Sequence, residues 1–145
     1  RGGNAGAGSV TVLATVLSDG GDEREPLSDA ARSLLDGHIV LASSLARAGH
    51  YPAIDVLEST SRTMADVVSP AHARDAAAVR AALALLTATK DARSVGLSPA
   101  PDAALDAALE AEPALEAFLR QDEPAAIAET QRALTTLATA VRSHP

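Results

Sequence analysis

Between Gly49 and Arg62 the chain reads GHYPAIDVLESTSR, where side chains able to do chemistry crowd most closely. An aromatic stands beside a proline. A short apolar run suited to a strand follows, and a carboxylate and Ser59-Thr60-Ser61 lead on to Arg62. Tyr51 is the single tyrosine of the chain; as a packing residue it would be half-buried, with its hydroxyl at the surface. An arginine just past a strand end has two readings. It is a solvated or ion-paired side chain, with Asp55 and Glu58 as the nearby acids, or it is a catalytic cation.

Other catalytic patterns are missing. There is no Gly-x-x-x-x-Gly-Lys-[Ser/Thr], and the Gly-rich stretch at residues 2–8 has no Lys and no following helix, so it is no phosphate cradle. His38, His50, His72 and His144 never pair four apart around a Glu, and the chain has no cysteine. Neither a zinc site nor a disulfide framework is expected, and the metal assignment is none. His38 opens a short apolar strand and reads as a packing histidine, while His72, in the first turn of a helix, reads as solvated. No Gly-x-Ser-x-Gly elbow is present.

Elements must hold these residues in place. Residues 1–8 read as a loose lead-in. Ser9–Leu17 is apolar on both alternate faces, the pattern of a strand inside a parallel sheet covered by helices. A polar loop closed by Pro26 follows. Ser28 or Asp29 then caps a short helix through Leu35, which Asp36-Gly37 stops. A strand over His38–Leu41, a helix from Ser43 to Gly49 and a strand from Ala53 to about Leu57 complete an α/β order.

From Ser69 the periodicity turns helical. Ser69-Pro70 is an N-cap and N1 pair. Val79, Leu83 and Leu86 line one face of a long helix to about Ala92, ended by Gly96 and Pro99. Leu105 and Leu109 mark a shorter helix. Pro113 starts another, with Leu115, Phe118 and Leu119 inward. Pro124 starts the last, with Ile127, Leu134, Leu137 and Val141 on one side. The expected division is an α/β portion over residues 1–66 and a bundle of about four helices over 67–145. So few strands cannot complete a sheet, so further strands are expected ahead of Arg1.

Composition narrows the function classes. The chain has 145 residues, 47% hydrophobic and 21% charged, which is globular and sets one domain or part of one. With one Tyr, one Phe and no Trp there is no platform for stacking bases, and a net charge of −7 argues against binding a phosphate backbone. No apolar run approaches the ~18 residues of a membrane span, and no signal peptide is visible.

These residues carry a resemblance. GHYPAIDVLESTSR is similar to the signature of the rotary-type ATPase family, which includes the catalytic subunits of F-type and V-type ATPases. PLSDAARSLLDGHIVL at Pro26–Leu41, the strand GSVTVLATVL with its acidic loop, and EPALEAFLRQ at Glu112–Gln121 resemble one branch, the flagellar and type III secretion export ATPases. The likeness runs from about Gly8 to Gln121.

It implies an incomplete RecA-like P-loop NTPase core, reduced to its last parallel strands, followed by an all-α C-terminal helical bundle. It implies an ATPase whose phosphate loop, Mg2+-binding strand end and catalytic Glu lie upstream. ATP and Mg2+ would be bound mainly there, and this portion would be inactive alone. Arg62 falls on the family's arginine finger, which acts across a subunit interface, and Tyr51 on the aromatic that packs against adenine. The chemistry agrees, because a planar guanidinium can meet the charge that spreads over a transferring phosphoryl group. The implied partners are five further copies in a homo-hexamer, stator or stalk proteins, and export substrates or chaperones held by the helical domain. The implied location is cytoplasmic, at the inner face of the bacterial inner membrane. The alternatives are an F- or V-type proton-translocating ATPase, or a non-enzymatic Ala-rich helical interaction module. The last has no need of residues 49–62.

Overall fold

A computed structural model of the chain describes residues 3–17, 30, 32–97 and 102–142. It divides into two compact units, the first ending at Leu35 and the second beginning at Asp36.

In the first unit β1 (Gly3–Ala5) and β2 (Gly8–Val10) form an antiparallel hairpin, with Gly3 opposite Val10 and Ala5 opposite Gly8. Gly6 takes the positive φ, +56°, that such a tight turn demands. Two expectations are corrected here. Residues 3–5 are a strand rather than a loose lead-in, and the strand expected over Ser9–Leu17 stops at Val10. Residues 11–17 are irregular, with Leu13 94% and Leu17 95% exposed. An apolar run becomes a strand only when a ladder takes its N–H and C=O groups, and β1 pairs with Gly8, Ser9 and Val10 and no further. Residues 30 and 32–34 are helical. The polar loop with Pro26, the Ser28 or Asp29 cap, Pro99 and His144 lie outside the described residues.

The second unit runs β3 (Gly37–Leu41), α1 (Ser43–Arg47), β4 (Ile54–Ser61), α2 (Met64–Val67), α3 (Pro70–Ser94), α4 (Ala103–Leu119) and α5 (Ile127–Arg142). This is α/β followed by all-α, as expected, but β3 and β4 pair antiparallel rather than parallel. A five-residue helix is too short for a crossover, and the N–H of Ala42 closes the connection onto the carbonyl of Ala53 at 2.9 Å. β4 also continues to Ser61, past the expected end at Leu57. Ile39 and Leu41 are exposed, so the short apolar strand is not buried within this chain.

The helical part is a bundle of three long helices, each packed on the other two. Ser69 caps α3 by accepting from the N–H of His72 at 3.2 Å, with Pro70 in the first turn. At the other end Gly96 has φ +76°, and the N–H groups of Gly96 and Leu97 return to the carbonyls of Arg93 and Ala92, a Schellman closure. Asp102 caps α4 through the N–H of Ala104 at 2.9 Å.

Pro113 does not begin a helix. It sits inside α4, so the bundle has one helix where two were expected. An interior proline costs about 3 kcal/mol. Burial of Leu105, Ala108, Ala111 and Leu115 along the inner face outweighs it, at about 1.5–3 kcal/mol for each leucine alone. Pro124 lies before α5 rather than in it, and Ile127 is exposed, while Leu137 is buried and Leu134 and Val141 half-buried. The core joins Val79, Ala82 and Leu86 of α3 to Ala108, Ala111 and Leu115 of α4 and to Leu137 and Ala138 of α5.

Two charged links brace it. Buried Asp75 of α3 accepts from Arg142 at 2.9 Å and from the Thr135 hydroxyl at 2.8 Å, both on α5. The Arg142 guanidinium first, then Thr135, holds its carboxyl below the ordinary carboxylate range. Arg93 of α3 makes a two-pronged pair with Glu112 of α4 at 3.1 and 3.3 Å.

Candidate functional site

The site is built around an irregularity in β4. Val40 pairs with Asp55 and His38 with Thr60, so residues 56–59 of β4 stand against Ile39 alone. Four successive residues thereby lose their regular ladder, and their polar groups must be met otherwise.

Side chains meet them. Asp55 Oδ1 accepts the N–H groups of Leu57 and Glu58, each at 3.0 Å. Ser59 Oγ accepts from the N–H of Val40 at 3.0 Å and donates to the Asp55 carbonyl. His38 Nε2 lies 3.1 Å from the Glu58 carbonyl, where it can only donate. The other three carbonyls turn to α3. Arg80 Nη1 donates to Val56 and, at 3.3 Å, to Ser59, and Nη2 donates to Leu57 at 3.0 Å. His38 is therefore a structural donor. His72, expected to be solvated, is half-buried and lines the clefts beside α5.

Past the bulge the ladder resumes, and β4 ends at Ser61 opposite Gly37. The N–H of Arg62 donates to the Asp36 carbonyl at 2.8 Å, which fixes the backbone at the strand end. Gly37 makes the approach possible: a Cβ there would lie 2.6 Å from the Thr60 carbonyl oxygen and 3.2 Å from Ser61 Cα. Arg62 is exposed. Asp55, one of the two acids weighed as its partner, has its Oδ1 engaged with the bulge backbone.

Tyr51 stands at the other end of β4. It is 59% exposed, its bond to Pro52 is cis, and its carbonyl accepts from the N–H of Gln121 at 3.1 Å, just past α4. Tyr51 and Arg62 are thus set apart by the whole of β4 rather than gathered into one cluster. Because of the bulge β4 advances only as far as the five residues of β3, about 13 Å at the usual strand rise.

An exposed ring can stack on a flat apolar face, and a guanidinium on an anchored strand end can meet an anionic group. Among the described residues no group of three or more His, Cys, Asp or Glu could hold a metal ion, and no helix is long and apolar enough to cross a membrane. Two shallow clefts of about 330 and 360 Å³ flank α5, and neither includes Tyr51 or Arg62. Sequence reasoning singled out the two ends of β4 and missed Arg80, whose only signal is its place 18 residues beyond Arg62 on the first long helix.

Residues 1–61 match the model of the ATP synthase alpha/beta family, nucleotide-binding domain, and residues 68–136 match that of the T3SS EscN ATPase C-terminal domain. Fold and site thus define the closing portion of a RecA-like nucleotide-binding core joined to a helical domain. A flagellum-specific ATP synthase of Pseudomonas aeruginosa is 44% identical over 142 residues, which is 94% of this chain and 32% of that protein. An SPI-2 type 3 secretion system ATPase of Salmonella typhimurium is 45% identical over 117 residues, 80% of this chain and 27% of that protein. The assembled ATPase EscN of enteropathogenic E. coli, solved with its central stalk EscO, superposes with a TM-score of 0.83 at 33% identity, over 95% of this chain and 33% of that one. The chain belongs to the rotary-type ATPase family, within its flagellar and type III secretion branch. It spans about a third of the length of these relatives.

Proposed function

We propose that this chain is the C-terminal portion of a hexameric ATPase that drives protein export through a flagellar or virulence type III apparatus, and that Arg62 is its arginine finger, acting on the nucleotide of a neighbouring subunit. Residues 1–66 close the nucleotide core and residues 67–145 form the helical domain. The observation that carries the reading is the anchored strand end: β4 leads directly into Arg62, whose backbone is tied to Asp36, and Gly37 lets β3 lie close against Thr60 and Ser61 just before it. Strand ends are where open α/β folds present functional residues.

ATP would be the substrate, and Mg2+, which would be held with it mainly by residues outside this chain, would supply positive charge to its phosphate groups. The guanidinium of Arg62 offers a planar pair of donors to charge building on that group. Tyr51 offers its exposed ring to an adenine. Their places at opposite ends of β4 support two different nucleotides as their ligands, the adenine of one site and the phosphate of the next.

The structure of the assembled ATPase EscN with its stalk EscO supports assembly and a stalk partner here; five further copies would complete the proposed hexamer. Export substrates or chaperones are assigned to the helical domain, and the location to the cytoplasmic face of the inner membrane. Residues 68–136 favour this branch over an F- or V-type proton-translocating ATPase. A purely adaptor role leaves the 49–62 segment without a use.

The test is made in the full-length protein. Arg62→Ala should spare nucleotide binding and lower kcat by about 10³ or more, and Arg62→Lys should restore little. A phosphate-loop variant and Arg62→Ala, each inactive alone, should recover activity when co-assembled. No recovery in verified mixed hexamers would refute action across the interface.

A further inference from the structure

Arg80 is the one side chain of the long helices seen to donate to the backbone of β4 among the described residues, and it does so three times within the bulge. We infer that Arg80 is a positioning residue: it couples displacement of the helical domain to the placement of Arg62. The inference rests on the arginine-finger reading of Arg62.

The path is short. Val79 and Ala82, on either side of Arg80 in sequence, are buried in the bundle core, so the root of the Arg80 side chain moves with the bundle. Its guanidinium holds the carbonyls of Val56, Leu57 and Ser59. Ser59 lies three residues before Arg62, which directly follows the last residue of the strand, Ser61. Regular antiparallel pairing would have tied alternate carbonyls of this stretch to β3; in the bulge those of Val56, Leu57 and Ser59 are all held by α3. Beyond Ser59 the strand is again paired, Thr60 with His38 and Ser61 with Gly37, so a shift imposed at Ser59 is carried along a braced segment.

Residue type matters. Hydrogen bonds from a charged donor are roughly twice as strong as neutral ones. A guanidinium presents its donors in a fixed planar fork, and here two nitrogens serve three oxygens. An ammonium at the end of a lysine keeps the charge but offers one nitrogen.

The experiment is a double-mutant cycle in the full-length ATPase, with Arg80→Ala, Arg80→Lys, Arg62→Ala and the double variant Arg62→Ala/Arg80→Ala. Steady-state ATP hydrolysis, hexamer mass and thermal unfolding are measured for each. Arg80→Ala should lower kcat by about 10- to 100-fold, the scale of a misplaced catalytic group, with KM for ATP within about twofold. Arg80→Lys should recover only part of that loss. In the Arg62→Ala background, removing Arg80 should cost nothing further, because the group it positions is gone. Losses that multiply would overturn the inference while leaving the finger intact, as would Arg80→Ala at wild-type kcat, a change confined to KM, or full rescue by lysine. If Arg80→Ala fails to assemble, the cycle is run with Arg80→Lys and Arg80→Gln; failure of all three makes Arg80 a folding determinant and refutes the positioning role. If Arg62→Ala itself keeps wild-type kcat, the finger reading is what fails, and the inference falls with it.

Discussion

The backbone N–H of Gln121 donates to the carbonyl of Tyr51 at 3.1 Å, so the chain leaving α4 holds the near end of β4 while Arg80 of α3 holds its middle. Both ties run from the helical part to the segment from Tyr51 to Arg62, of which β4 is the middle. Consequences for single residues follow from this bracing.

Tyr51→Ala should raise KM for ATP roughly tenfold in the full-length enzyme, the scale of one lost base–aromatic stack, with a smaller change in kcat. Tyr51→Phe keeps the ring and should stay near wild type. Steady-state kinetics on both variants decides it; an unchanged KM for Tyr51→Ala would remove Tyr51 from the nucleotide site.

Gly37→Ala places a methyl 2.6 Å from the Thr60 carbonyl oxygen, a backbone atom that cannot swing away. Separation of β3 from β4 should cost about 1–3 kcal/mol, the range of overpacking, and should disturb the ladder beside Arg62. Chemical denaturation reads the loss, and amide exchange at Arg62, whose N–H is bound to Asp36, should quicken.

Asp75 sets a pH dependence. Its carboxyl is held below its ordinary value by Arg142 and Thr135, so the unfolded chain takes up a proton at a higher pH than the folded one. The stabilisation is complete above the unfolded value of about 4 and is lost as pH falls through the folded value. Asp75→Asn should therefore melt below wild type at pH 7, by a gap that is flat down to about pH 5 and closes as the medium becomes more acidic. A gap that persists undiminished at pH 3 would show that the charge is not what matters.

Pro113→Ala restores an N–H inside α4 at an exposed position and relieves the proline's clash with the preceding turn. Part of the gain is offset because the unfolded chain becomes more flexible, by about 0.4–1 kcal/mol. The net expectation is a stabilisation of about 2 kcal/mol in denaturant unfolding. A loss of stability would mean that the proline ring packs more tightly than its exposure indicates.

Features written in a few adjacent residues were legible. Ser69-Pro70 starts a helix and Gly96 ends one because a cap and a positive φ are local matters. A strand is legible over His38–Leu41 and is found at Gly37–Leu41; within Gly49–Arg62 the strand expected from Ala53 to about Leu57 is found from Ile54 and runs on to Ser61. Features that depend on partners distant in sequence were not legible. Residues 11–17 look like a central strand but find no ladder here. Pro113 looks like a helix start, yet the burial of its neighbours overrides the lost bond. The bulge escaped notice because what makes it tolerable, Arg80, comes from 21 to 24 residues further along.

Half of the eight residues at the centre of the bundle are alanines, and two of them, Ala108 and Ala138, have no accessible surface at all. Truncation, the usual injury to a protein interior, has little to remove there. Nearly every substitution at these four positions adds volume, and in a close-packed interior the added atoms must push a helix axis outward. Damage to this bundle should then appear as dilation rather than as holes, and its compensating mutations should be reductions in size on the facing helix.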